Sequence, residues 1–203
     1  MTSARRLINL LKSLLWPVLG MCWLGWALLA LLALAGCSQA GAGQPPGNEG
    51  NALKLKVDGF GVGEEIPARF TCDGADERPD FSWSEAPEGT KSFALSVIDY
   101  DVPKQARADG IWAHWLVKDL PARVTQVKGR EKLPVGAVEV ANDFGRGAWG
   151  GPCPPDRRHN YYFRVYALKV EKLGGVDLDD FHERAKAQSL AVAEVVASYE
   201  RKK

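Results

Sequence analysis

The sequence predicts a mainly β fold: an antiparallel β-sandwich with one peripheral C-terminal helix. Three patterns carry that expectation. From Leu53 onward, short runs alternate apolar and polar residues with a period of two. One longer run, 159–170, is apolar on both faces, as in a central strand covered on both sides. Helical spacing appears only near the end of the chain.

The elements follow in order. Leu53, Leu55 and Val57 alternate with Lys54 and Lys56, which marks a half-buried strand. In 91–99, Phe93, Leu95 and Val97 share a face, and 111–120 is a further strand candidate. In 159–170, Tyr161, Phe163 and Val165 lie on one face, with Tyr162, Tyr166 and Leu168 on the other. Phe181, Ala185, Val192, Val196 and Tyr199 recur at helical spacing. Asp177, Asp179 and Asp180 suit the positive N-terminus of such a helix, and Arg201, Lys202 and Lys203 suit its C-terminus.

The first 36 residues differ from the rest. Arg5, Arg6 and Lys12 precede 22 uncharged residues, 14–35, ending in Leu34-Ala35-Gly36-Cys37. Basic residues followed by an apolar run match an export signal. The last four residues resemble a bacterial lipobox, which implies cleavage before Cys37 and a lipid on its sulfur. An uncleaved transmembrane helix is the competing reading, since about 20 apolar residues span a bilayer. Small residues directly before a cysteine favour processing. Ser38, rather than Asp, follows Cys37, which points to the outer membrane over the inner. The expected organisation is a signal peptide over 1–36, lipidated Cys37 with a Gly- and Pro-rich tether over 37–51, and a domain over 52–203. The expected location is the cell envelope, lipid-anchored and facing the periplasm.

Removing Arg5, Arg6 and Lys12 from 26 basic residues leaves 23 against 25 acidic ones, a formal charge of −2. That near-neutral balance gives no electrostatic case for nucleic-acid binding. With Cys22 in the signal and Cys37 lipidated, Cys72 and Cys153 remain. In an oxidising compartment they are a candidate disulfide; two buried free thiols are the alternative.

Three clusters carry candidate chemistry. They are Asp99-Tyr100-Asp101-Val102-Pro103, His114-Trp115, and the Gly-rich stretch 142–155 leading to His159-Asn160-Tyr161. His159 and Tyr161 share a strand face, so a ring nitrogen and a phenol can both donate to one oxyanion. Gly150 and Gly151 are expected to leave backbone N–H groups open to a ligand. Asp99 or Asp101 could orient a histidine as donor. Taken singly, each feature has a plainer reading: a core histidine, turn aspartates, loop glycines and packing tryptophans. The Gly-rich stretch lacks the Gly-Lys-Ser/Thr ending of a P-loop.

In order along the chain, these clusters resemble the phosphatidylethanolamine-binding protein family, in its bacterial Raf-kinase-inhibitor-like branch. The resemblance begins at Ile66-Pro67 and Thr71-Cys72-Asp73-Gly74. It continues through Phe81-Ser82-Trp83 and Ala86-Pro87-Glu88-Gly89-Thr90-Lys91-Ser92-Phe93, and covers most of 53–170. It implies a small pocket for phosphate or a phospholipid headgroup. The implied ligand residues are Asp99, Asp101, Pro103, His114, Gly151, Pro152, His159 and Tyr161, with no catalytic residue, metal or cofactor. The sequence departs from the family pattern at Tyr100 and Val102. Asp156-Arg157-Arg158 replaces a more Gly-rich approach to His159, and Asn160 replaces a frequent Arg.

The expected function is therefore a membrane-tethered binding protein for an anionic small molecule or lipid headgroup, with an envelope protein as a further partner. One alternative is a metal-dependent hydrolase using the Asp/His cluster, although no fixed metal-ligand spacing such as His-Glu-x-x-His is present. Another is an envelope protease inhibitor acting by protein contact. No Gly-x-Ser-x-Gly elbow supports nucleophilic catalysis.

Overall fold

The computed structural model describes residues 52–202. The expected signal segment, Cys37 and the tether lie outside the described residues. The alternation at the start of the domain forms β1 (Lys54–Val57), which pairs antiparallel with β2 (Phe81–Ser84). β2 also pairs with the short β5 (Gln126–Val127), completing a three-stranded sheet. The second sheet has five strands in the order β6 (Val138–Val140), β4 (Trp112–Pro121), β3 (Ser92–Asp99), β7 (His159–Leu168) and β8 (Ser189–Tyr199). All neighbouring strands in it run antiparallel.

The sheets bury one face each against the other. Phe81 and Trp83 of the small sheet meet Phe93, Leu95, Val97, Trp115, Phe163 and Val165 of the large one. Burying each such aromatic or aliphatic side chain stabilises by about 1.5–3 kcal/mol. The opposite face of the large sheet forms a second core, where Ala94, Ile98, Leu116, Tyr166 and Leu168 lie under Phe181 and Ala185 of the helix α1 (Phe181–Gln188). Two cores explain why β7 is apolar on both faces.

The helix is shorter than its spacing suggests. It ends at Gln188, and the next eleven residues are β8. Val192 and Val196 are four apart, a separation compatible with a helical face and with one face of a strand. Pairing along β7 decides between them, with register from His159↔Tyr199 to Leu168↔Ser189. The odd positions Ala193, Val195, Ala197 and Tyr199 then enter the inter-sheet core. Arg201 and Lys202 consequently do not cap a helix. Asp177 and Asp180 do serve the helix start: the Phe181 N–H donates to the Asp177 carbonyl at 3.1 Å, and Asp180 pairs with Arg184.

Candidate functional site

The inward face of the large sheet is apolar along most of its length and turns polar at one end. On β3 the series Phe93, Leu95, Val97 ends in Asp99, and on β7 the series Val165, Phe163 ends in Tyr161 and His159. Asp99 and Tyr161 are cross-strand partners, so the pairing that builds the sheet also gathers these groups. β4 contributes His114 through an irregularity. Val97 pairs with Trp115 while Ile98 pairs with Ala113, leaving His114 as the extra residue of a bulge. The bulge puts its ring beside Tyr161, with centroids 5.2 Å apart.

These four side chains are buried: Asp99 and His114 are 3% exposed, and His159 and Tyr161 are 0% exposed. His159 Nδ1 lies 2.7 Å from Asp99 Oδ2, and its Nε2 lies 2.9 Å from Asp156 Oδ1. Asp99 Oδ1 accepts from the Asp101 N–H at 2.7 Å. Burial pushes the Asp99 carboxyl above its ordinary range, opposed by its bond to His159. The Asp156 carboxyl is held below the ordinary range by its bond to His159.

His114 Nδ1 sits 2.6 Å from the Gly150 carbonyl, which can only accept, so Nδ1 carries the proton. Burial pushes the pKa of His114 down to about 4, against an opposing pull from the Gly150 and Gly151 backbone. A neutral ring then presents Nε2 as an acceptor. The Tyr161 hydroxyl is buried with no hydrogen-bond partner, and burial together with Asp99 and Asp101 raises its pKa.

The other expected residues stand differently. Asp101 accepts from the Asn160 N–H and side-chain amide at 2.9 and 3.0 Å and faces Arg157. It secures the start of β7 and orients no histidine; that work belongs to Asp99. The Pro103 carbonyl accepts from Ala106 and Arg107, making a turn in the loop beyond Asp101. The Gly151 backbone lies beside His114, the Pro152 carbonyl accepts from the Cys72 N–H, and the expected open N–H groups are absent there. The Gly151 N–H donates to Asp76 Oδ1 at 2.7 Å, and the Gly150 N–H donates to the His114 carbonyl at 3.2 Å. Glycine is required at 151 because a Cβ would come within 2.4 Å of the Phe70 carbonyl oxygen. A buried loop must pair its own backbone, and these pairings use the donors the glycines expose.

Other residues complete the cluster. Asn142 donates to the carbonyls of His114 and Ala148 and accepts from the N–H groups of Phe144 and Arg146. It fixes the loop that carries Phe144, whose ring lies 5.6 Å from that of His114. Cys72 and Cys153 are joined, with Cα atoms 5.4 Å apart, and the Cys72 N–H donates to the Pro152 carbonyl. Asp76, Asn142 and Asp156 carried no sequence signal of a role. Each acts on a backbone group or ring distant in sequence or brought close by a turn. Among the described residues, no group of three His, Cys, Asp or Glu side chains is arranged to hold a metal ion. None of their helices is long and apolar enough to cross a membrane. A hollow of about 180 Å³ beside the cluster is lined by 154–157 and by Glu200, Arg201 and Lys202.

Comparison with known proteins supplies the family. The family model for phosphatidylethanolamine-binding protein matches residues 56–200. A UPF0098 protein of Aquifex aeolicus is 41% identical over 160 residues, covering 75% of this chain and 91% of that protein. The UPF0098 protein YbcL of Escherichia coli is 42% identical over 145 residues, covering 64% of this chain and 75% of YbcL. The crystal structure of YbcL superposes with a TM-score of 0.67 at 38% identity, covering 74% of this chain and 99% of that structure. That of a phosphatidylethanolamine-binding protein homologue from Chlamydia trachomatis superposes with a TM-score of 0.68 at 35% identity, covering 75% and 99%. The chain belongs to the phosphatidylethanolamine-binding protein family.

Proposed function

We propose that this protein is an exported, membrane-tethered binding protein for an anionic ligand, a phosphate or a phospholipid headgroup, and that it acts by binding rather than by catalysis. The observation that carries this reading is the Tyr161 hydroxyl, fully buried and unpartnered beside His114. A buried hydroxyl without a partner costs about 1–3 kcal/mol, which a bound oxyanion recovers. His159 lies two residues away on the same face, its ring oriented by Asp99. Asp99 orients that donor rather than touching the ligand. The family name supports a phosphorylated headgroup, and the lipobox-like Cys37 supports a location beside a membrane.

Calorimetric titration with inorganic phosphate tests the reading. His159→Ala weakens binding by at least about tenfold, the scale of one charge-assisted hydrogen bond. Unchanged affinity would remove His159 from the site. The hydrolase alternative finds little support in the geometry, because both His159 nitrogens face carboxylates and His114 Nδ1 faces a carbonyl. Stoichiometric zinc in the purified protein, lost in His114→Ala, would reverse that judgement.

A further inference from the structure

Asp156 occupies the position a ligand oxygen needs. His159 Nδ1 is fixed on Asp99, so the direction of Nε2 is fixed too, and Asp156 Oδ1 meets it at 2.9 Å. The His159 side chain is fully covered, whereas the Asp156 side chain is 48% exposed. The carboxylate therefore closes the ring off from the solvent side. Asp156 follows the disulfide-bonded Cys153 and two prolines, Pro154 and Pro155. Prolines have a fixed φ, so this carboxylate is presented with little backbone entropy left to lose. The neighbouring Arg157 reaches away toward Asp101, at 3.4 Å, leaving Asp156 on the ring.

We propose that Asp156 is an internal competitor for the anion seat on His159, and that it sets which anions the site accepts. The proposal rests on the anion-binding reading above. An entering ligand must displace a carboxylate already bonded to Nε2. A simple monocarboxylate offers the ring the same kind of acceptor and also loses translational and rotational freedom on binding, so it gains nothing. A phosphoryl group brings more charge and further oxygens, one of which can take the hydrogen bond that the Tyr161 hydroxyl lacks. Asp156 thus discriminates against carboxylates and lowers the affinity for phosphate.

The test is calorimetric titration of the full chain with inorganic phosphate and, separately, with acetate. Asp156→Ala is expected to bind phosphate about tenfold more tightly than wild type. Acetate, without measurable binding to wild type, is expected to bind Asp156→Ala. Asp156→Asn keeps the side-chain size and shifts phosphate affinity in the same direction, which covers any disturbance of the loop by alanine. Glu200→Gln removes a like charge at the same hollow without contacting His159, and stays within about twofold of wild type because a screened surface charge acts weakly. The double variant Asp156→Ala/His159→Ala loses the gain. Phosphate binding that is no tighter in Asp156→Ala and Asp156→Asn overturns the competitor role and leaves the anion site standing. Equal tightening in Glu200→Gln overturns it as well, by assigning the effect to net charge. No phosphate binding in wild type or in Asp156→Ala brings down the anion-site reading and this proposal with it.

Discussion

At the residue scale, the site consists of polar groups placed where burial penalises them. His114 illustrates the consequence. Its folded pKa, about 4, lies below the ordinary 6.5, so the folded state resists protonation. The stability linked to His114 is fully present above pH 6.5 and is lost as pH falls toward 4, amounting to about 3 kcal/mol at most. Asp99 works in the opposite direction, because its raised pKa makes the folded state easier to protonate than the unfolded chain. Melting temperature against pH should fall between pH 6.5 and 4, and His114→Gln should flatten that fall. An unaltered profile in the variant would assign the transition to other groups. Tyr161 makes a second prediction. Its hydroxyl has no partner, so Tyr161→Phe should stabilise the ligand-free protein by about 1 kcal/mol, or roughly 2–4 °C. The same change should weaken phosphate binding, and a variant both less stable and equally avid would contradict the role given to this hydroxyl.

At the element scale, strand ends and loops determine which residues meet. The bulge in β4 turns His114 toward Tyr161, and the antiparallel register of β3 and β7 sets Asp99 against Tyr161. The Gly151-Pro152-Cys153 segment is held against 70–76 by the Cys72–Cys153 bond, the Cys72 N–H and the Asp76 carboxylate. The disulfide spans 81 residues of sequence, so loop closure in the unfolded chain contributes about 4–5 kcal/mol in the chain-entropy model. Cys72→Ser/Cys153→Ser should lower the unfolding free energy by a few kcal/mol in a denaturant titration. It should also weaken phosphate binding, since Gly150 lies three residues from Cys153 and its carbonyl holds the His114 ring. Full affinity in the reduced variant would separate the staple from the site.

At the scale of the whole molecule, the domain is two packed sheets with the polar cluster at one end, and the proposed membrane tether assigns targeting to the chain before it. Cys37→Ser should abolish labelling by a radioactive fatty acid and release the protein from the membrane fraction. Retention in that fraction, with the apolar segment uncleaved, would favour a transmembrane anchor. Either outcome leaves the domain fold intact, because β1 begins at Lys54, beyond the tether.

The sequence alone determined the sandwich, the long strands and the residues gathered at their ends. Binary patterning is local: Phe93, Leu95 and Val97 alternate whatever they pack against. The Asp99, His114, His159 and Tyr161 cluster was legible because the resemblance places their motifs in order. Only the tertiary structure decided three matters. Ser189–Tyr199 is a strand because β7 offers it a partner, and four-residue spacing fits both periods. The Gly150 and Gly151 donors are spent on His114 and Asp76, residues far off in sequence. Asp156 faces His159 because a disulfide and two prolines bring it there. The strand and the glycine donors are choices among partners distant along the chain, fixed only once the sheets have packed. The Asp156–His159 contact, three residues apart, depends instead on the path the disulfide-bonded loop takes into β7.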